Sequence, residues 1–379
     1  MVDFLKILIT DNQLRMFFYQ NSLLTWLSKN EKLSHFDFET IYCKETKVYK
    51  GILFCFYENK LEILFRPHYY FNDNLHNAND FKTLDCINVF KEFVNVFTIK
   101  NPEALKIINI EYGINIKSPI DVKTLVTYLS YHSKNEFRND DLLAFSKKSY
   151  RTNKNGTANT HKIIKAYAKG VQFPDYCEFN TLRFEVKSKK SAFINSLRIF
   201  TFNDLLQPEL YSEMANSILN EWDECLILGT NNESDKLTTR ENNFLSKYQN
   251  PFYWFEIKQK HRNEFNKVKK RYFKLLNKSG INIHIEIKNI IQQKLEQTGA
   301  FLPTIQNRQK GAILHVYIMK ECTSLQVSKM NNSVYKKQPK KTEKIDWSYT
   351  AQKEAISKHN KLAVINYNNR NHPERTTRI

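Results

Sequence analysis

The sequence predicts an α+β fold: an antiparallel-sheet domain with flanking helices, followed by a mainly helical region and a basic tail. Three observations point there. Apolar residues alternate with period two through much of the first 200 positions. Spacings of three and four take over after about residue 200. From about Lys329 apolar residues thin out and lysines gather. The expected divisions are 1–200, 201–325 and 326–379, the last without a packed core.

Taken in order, Met1 to Thr10 reads as a first strand. It is short, carries Asp3 and lacks a small-residue cleavage site, unlike a signal peptide. Val48–Tyr57 and Lys60–Phe65 flank Glu58-Asn59, two apolar runs around a polar turn, which reads as a hairpin. Val89–Phe97 fits a helix burying Val89, Phe93 and Phe97. Lys106–Ile116 alternates, with Ile108, Ile110, Tyr112, Ile114 and Ile116 on one face and Asn109, Glu111, Gly113 and Asn115 on the other. Pro119–Tyr131 fits a helix, Asn153–Asn159 a turn-rich link, and His161–Lys169 and Asn180–Lys187 two further strands. Strands with intervening helices in this mixed order indicate α+β rather than a parallel βαβ series. Phe202–Gly229 reads as helix broken at Pro208, Glu264–Leu276 as a helix burying Phe265, Val268, Tyr272 and Leu275, and Glu286–Leu295 as another. A short helix is expected near Ala351–Ser357.

The chain has 379 residues, a formal net charge of +19 and a pI near 9.4. A surplus of that size attracts polyanions, nucleic acid first and an anionic membrane surface second. No run approaches the roughly 18 apolar residues that span a bilayer. The cysteines, Cys43, Cys55, Cys86, Cys177, Cys225 and Cys322, form no CxxC pair. That predicts reduced thiols in a bacterial cytoplasm and no structural zinc. With 8 glycines and neither a GxxxxGK[ST] nor a GxGxxG pattern, an ATPase or dinucleotide enzyme is not expected.

Three strands carry the chemistry. Lys165, Tyr167 and Lys169 share a strand face, as do Arg183, Glu185 and Lys187, while Glu111 sits among Asn109, Gly113 and Asn115. Neighbouring strands with these faces aligned would gather a tyrosine, two carboxylates and several cations. This is an inventory for metal-assisted phosphodiester cleavage. Carboxylates suit Mg²⁺ or Mn²⁺, a metal stabilises charge on phosphate, and a tyrosine of pKa near 10 needs positive charge beside it to attack. The same pattern also describes a solvated sheet face with Glu185 in a cross-strand ion pair. Glu62, on a face with Leu64 and Arg66, is a further acid able to reach that surface. His68, His76 and Asp80 fit a helix cap or a shaped loop, and His284 and His315 each stand alone.

The segments Ile163-Ile-Lys-Ala-Tyr-Ala-Lys, Leu182-Arg-Phe-Glu-Val-Lys and Phe202-Asn-Asp-Leu-Leu resemble the gene II/gene X replication proteins of filamentous phages and their plasmid relatives. The resemblance covers roughly residues 50 to 210. It implies a rolling-circle replication initiator that nicks one DNA strand at an origin through a 5′-phosphotyrosine link. Tyr167 would be the nucleophile, assisted by Lys169, with His161 where the family can have a histidine and Glu111 and Glu185 as metal or structural acids; the strand pattern itself adds Lys165 beside Tyr167 and Glu62 as a further candidate ligand for Mg²⁺ or Mn²⁺. Single-stranded and duplex origin DNA, a host helicase and a host polymerase are the implied partners, without a membrane. Asn109 departs from the family, which has a basic residue there, and the His-hydrophobic-His motif of other rolling-circle initiators is missing. Termination would use a second tyrosine such as Tyr176 or a second subunit, and the oligomeric state stays open.

DNA contacts are expected from Arg183 and Lys187, from Tyr253-Trp254, and from Lys267, Lys270, Arg271 and Lys274 on one basic helix. Three other readings remain. One is a relaxase or transposase with the same tyrosine chemistry. Another is a non-enzymatic initiator or repressor that binds repeated duplex sites and needs no metal. The third is a basic RNA- or DNA-binding protein without catalytic ability.

Overall fold

Strands that leave the middle of a sheet and return to it from the edge organise this chain. The computed structural model describes residues 1–29, 32–36, 39–42, 45–141, 143–229, 234–260 and 263–301. The expected basic tail, its helix near Ala351–Ser357, Cys43, Cys322 and His315 lie outside the described residues.

The first half runs β1 (Val2–Ile9), α1 (Asn12–Gln20), β2 (Thr25–Lys29), β3 (Lys32–Phe36), β4 (Glu39–Tyr42), β5 (Glu45–Tyr49), β6 (Ile52–Phe56) and β7 (Leu61–Phe65). Asp11 caps α1 by accepting the Leu14 N–H at 2.7 Å. The run expected as one strand over Val48–Tyr57 is two, because Lys50 and Gly51 both take positive φ and turn the chain between β5 and β6. The hairpin around Glu58-Asn59 joins β6 to β7 as expected. α2 (Pro67–Phe71) and α3 (Thr83–Val96) follow.

The second half opens with β8 (Lys106–Lys117), then α4 (Val122–Tyr128), β9 (Leu129–His132), β10 (Asn135–Asn139), β11 (Ser146–Thr152), β12 (Ala158–Ala168), α5 (Lys169–Gln172) and β13 (Thr181–Ser188). The turn-rich link at Asn153–Asn159 is the β11–β12 hairpin turn, closed by the Asn153 N–H on the Thr157 carbonyl at 2.8 Å. The helix expected over Pro119–Tyr131 ends at Tyr128, where the chain turns into β9. In β8 the alternation holds from Ile110 onward. A bulge falls before it, since Lys6 pairs with Asn109 but Ile7 with Ile107, so Ile107 takes the core place expected of Ile108.

The sheet order is β14-β9-β10-β11-β12-β13-β8-β1-β7-β6-β5-β2, antiparallel throughout. Outward from β1 lie β7, β6, β5 and β2, and outward from β8 lie β13, β12, β11 and β10. Each half starts at the centre, crosses by a helix to the rim and returns strand by strand. Because β1 and β8 are antiparallel neighbours, the halves are related by a pseudo-two-fold axis through the sheet. The α+β class with an antiparallel sheet and flanking helices is therefore what the chain adopts.

Beyond β13 come α6 (Ser191–Ser196), a 3-10 turn at Phe202–Leu206, α7 (Glu209–Asp223), β14 (Cys225–Ile227), α8 (Thr239–Gln249), α9 (Pro251–Lys260), α10 (Glu264–Ser279) and α11 (Ile283–Gln297). The stretch expected as helix broken at Pro208 over Phe202–Gly229 is a 3-10 turn, one helix starting after Pro208 and a strand on β9. His284 lies in α11, its Nε2 3.0 Å from the Trp222 carbonyl. One face of the sheet carries the main core, where Leu5, Ile7, Ile110, Tyr112, Ile114, Val186 and Phe184 meet Phe18, Phe90, Phe93, Trp222 and Ile291 from the helices. A second core joins α8, α9 and α10 around Trp254, Phe265 and Tyr272 against Tyr131 and Leu226. Trp254 is fully buried there, donating its indole N–H to the Tyr248 carbonyl at 2.6 Å, so it is no stacking surface for DNA. Among the described residues no helix is long and apolar enough to cross a membrane.

Candidate active site

The opposite face of the sheet differs between the halves. In the first it carries a small apolar cluster of Phe4, Leu53, Cys55 and Leu64. In the second it carries charge, set out by cross-strand register. Tyr167 pairs with Arg183 and Arg183 with Asn115; Lys165 pairs with Glu185 and Glu185 with Gly113; Lys187 pairs with Glu111. The three polar strand faces read from the sequence therefore come together on one surface.

Tyr167 is 7 % exposed. Its hydroxyl donates to Glu185 Oε1 at 2.7 Å. Lys169 Nζ stands 3.4 Å from the same hydroxyl and donates to Asn77 Oδ1 at 2.6 Å and Gln172 Oε1 at 3.2 Å. Lys169 is not on the strand face where alternation puts it. It opens α5, and the turn of the chain swings its ammonium back over the tyrosine. Gly113 gives Glu185 its room: a Cβ there would lie 2.3 Å from the Phe184 carbonyl and 2.8 Å from Glu185 Cγ.

Arg183 joins the site to the first half. Its Nε lies 3.0 Å from Glu185 Oε1 and its Nη1 3.1 Å from Asn115 Oδ1, while Nη2 pairs with Asp3. Asp3 in turn faces His68 Nδ1 at 3.2 Å, and His68 Nε2 lies 2.8 Å from Asn79 Oδ1. Glu111 receives Lys165 at 2.5 Å and Lys187 at 3.2 Å, and Lys165 also stands 3.7 Å from Glu185.

These contacts set the charge states. Burial, then the neighbouring Glu111 carboxylate, pushes Glu185 up to about 8. Burial also works to raise Glu111, but Lys165 and Lys187 overcome it and hold that carboxyl well below the usual range. Burial and the Glu185 charge drive the Tyr167 phenol well above its ordinary value. Burial, then Arg183, lowers Lys169 to about 8. Burial lowers His68 to about 4. A phenol hydrogen-bonded to a base that titrates near 8, with an ammonium that titrates near 8 beside it, is equipped for nucleophilic attack with proton transfer on both sides.

Other expected site residues lie apart. Glu62 is engaged by Lys60 at 2.6 Å and Lys6 at 3.5 Å, with β1 between it and Glu111. His161 is six residues before Tyr167, about 20 Å along the strand, and its ring meets Phe193 at 5.7 Å. Arg183 and Lys187 are 2 % and 4 % exposed, inside the carboxylate network rather than on a DNA-facing surface. Lys267, Lys270, Arg271 and Lys274 do form an exposed row on α10, while Lys269 turns inward to the Asp223 carbonyl at 3.0 Å. Asp3, Asn77 and Gly113 are members of the site that sequence reasoning missed in that role. The signal for Asp3 was its position as an acid near the start of an apolar strand.

The residues do not fit a divalent cation as they stand. Among the described residues no group of three or more His, Cys, Asp or Glu could hold a metal ion. Lysine and arginine side chains already occupy the positions around Glu111 and Glu185 that a cation would take.

No protein-family model and no curated protein matches this chain. Among solved structures, a rolling circle replication initiator protein from Geobacillus stearothermophilus is similar at a TM-score of 0.36 and 11% identity, over 71% of this chain and 96% of that one. A likeness of that size carries no argument about this chain.

Proposed function

We propose that this chain is a tyrosine nickase of DNA that initiates rolling-circle replication. The observation that carries the reading is the Tyr167 hydroxyl held between the Glu185 carboxylate and the Lys169 ammonium. Tyr167 Oη attacks a backbone phosphorus and its proton passes to Glu185. The Oη–P bond forms as the P–O3′ bond breaks, and the leaving 3′ oxygen takes a proton from Lys169. The 5′ end stays on the tyrosine, and the free 3′-OH is a primer end for a polymerase. The phosphotyrosyl ester keeps the energy of the broken bond, so rejoining needs no ATP. Asn77 and Gln172 hold Lys169 in place, and Arg183 holds Glu185. No step runs through a metal ion, although Mg²⁺ and Mn²⁺ belong in the test.

The experiment is incubation of the full chain with single-stranded DNA from its own genetic element, with Mg²⁺, Mn²⁺ or a chelator in separate arms. A denaturing gel and peptide mass mapping then locate any covalent adduct. An adduct on the Tyr167 peptide, lost in Tyr167→Phe while DNA binding persists, is the expected result. Full nicking by Tyr167→Phe sinks the assignment. Tight duplex binding with no adduct on any tyrosine turns the reading to a non-enzymatic initiator.

A further inference from the structure

Near Tyr167 lies an aromatic stack that the reaction does not use. Tyr176 is 44 % exposed, and its ring lies 3.9 Å from that of His76, tilted by 31°. Its edge meets Phe173 at 6.5 Å. Phe173 carries Lys169 Nζ 4.5 Å from its ring centre, and Lys169 is the ammonium beside the Tyr167 hydroxyl. One line of contacts therefore runs from a solvent-facing tyrosine to the reactive oxygen.

The stack is fixed in place. Gly170 lets α5 lie directly on the segment that follows Tyr176, since a Cβ there would come 2.2 Å from the Glu178 carbonyl and 2.3 Å from that of Phe179. On the other side the Ala78 N–H donates to His76 Nδ1 at 3.2 Å. That bond makes Nδ1 an acceptor and leaves Nε2 as the donor of a neutral ring. Burial and the Lys169 charge lower the His76 pKa in keeping with a neutral imidazole. A neutral pair of aromatic rings with one N–H donor suits a flat heteroaromatic ring better than it suits phosphate.

We propose that Tyr176 and His76 form a stacking platform for one nucleobase of a single DNA strand, the base next to the phosphate presented to Tyr167. The platform rests on the nickase reading. Stacking on an aromatic side chain is tolerant of base identity and requires an unpaired base, so the platform selects single-stranded over duplex DNA at this position without reading sequence.

The test uses the full chain carrying Tyr167→Phe, so that binding is read without cleavage. Fluorescence anisotropy measures its affinity for a labelled oligothymidylate, for the same strand with abasic spacers, and for duplex DNA. Tyr176→Ala added to this background is expected to weaken oligothymidylate binding roughly 5- to 150-fold, with Tyr176→Phe within about two-fold of the parent. The abasic strand is expected to bind both forms alike. Thermal unfolding of each variant shows whether the fold is kept, as expected for an exposed side chain.

Unchanged affinity in Tyr176→Ala overturns the platform. So does Tyr176→Phe binding as weakly as Tyr176→Ala, which would assign the effect to the hydroxyl. An adduct mapping to Tyr176 in the nicking experiment overturns it as well, by making that residue a nucleophile. Weakened strand binding in Tyr176→Ala together with no adduct on any tyrosine keeps the platform and removes the nickase.

Discussion

Arg183→Met should be among the most damaging single substitutions in the sheet. The guanidinium is 2 % exposed and bridges Asp3, Glu185 and Asn115. Removing one partner of a buried ion pair costs about 3–5 kcal/mol, because the other charge is left without compensation. Here Asp3 loses its cationic partner, while Glu185, whose carboxyl is pushed up to about 8, loses a hydrogen-bond donor. The loss is a large fraction of the roughly 5–15 kcal/mol that separates folded from unfolded domains. The pH dependence follows from Asp3, which burial alone would raise but Arg183 and His68 hold well below its ordinary 3.8. A depressed carboxyl contributes stability that is present above its unfolded pKa and is lost as pH falls through the folded one. Without Arg183 the Asp3 pKa rises and the buried charge is relieved by protonation. The deficit of the variant should then be largest near pH 7 and shrink toward pH 4. Urea unfolding followed by tryptophan fluorescence at both pH values measures it. Adding Asp3→Asn to Arg183→Met should recover part of the loss at pH 7. A deficit under about 1 kcal/mol, or one equal at both pH values, refutes the account of Arg183 as the tie between the halves.

Gly113→Ala sets a Cβ 2.3 Å from the Phe184 carbonyl; it should cost about 1–3 kcal/mol by overpacking, read by thermal unfolding, and cut nicking by at least about 100-fold as Glu185 is displaced from Tyr167. Nicking should show a narrow maximum near pH 8, because Glu185 must be ionised and Lys169 protonated and their surroundings shift both to about 8; a flat profile from about pH 6 to 10 would contradict the assigned roles. Replacing Lys267, Lys270 and Lys274 with Ala should lower the log–log salt slope of duplex binding by about 0.9 for each phosphate that the helix no longer neutralises, measured as affinity across a salt series.

The part of the site that the sequence revealed is the part encoded in short alternating runs. Glu111, Tyr167, Arg183, Glu185 and Lys187 each sit in a strand where every second residue is apolar, so their common facing follows from local pattern. Asn77 joins through a contact over a long sequence distance, which no local pattern carries, and Asp3, visible as an acid near the start of an apolar strand, meets Arg183 only in the fold. Lys169 was assigned to a strand face but reaches Tyr167 from the first turn of a helix. Strands β10 and β11 escaped because their residues are mainly polar, β9 because its start reads as the end of a helix, and β14 because the apolar run Cys225-Leu-Ile-Leu reads equally as helix. The resemblance to filamentous-phage replication proteins includes a helix at Phe202-Asn-Asp-Leu-Leu; the chain forms a 3-10 turn there, closed by Asp204 accepting the Thr201 N–H at 2.8 Å.

The tie between Asp3 and Arg183 spans 180 residues of sequence, and this bears on how the chain is made. Ribosomes add about 5–20 residues per second, so the first strand waits on the order of 10–40 s for the arginine that neutralises it. For the first part of that interval, until Lys106–Lys117 is made, β1, an interior strand of the finished sheet, has no β8 at its side. Non-local pairing of this kind slows folding and leaves strand edges open to wrong partners. On the reading proposed above, a chain released before β13 has emerged lacks both Arg183 and Glu185, and with them the carboxylate that takes the Tyr167 proton.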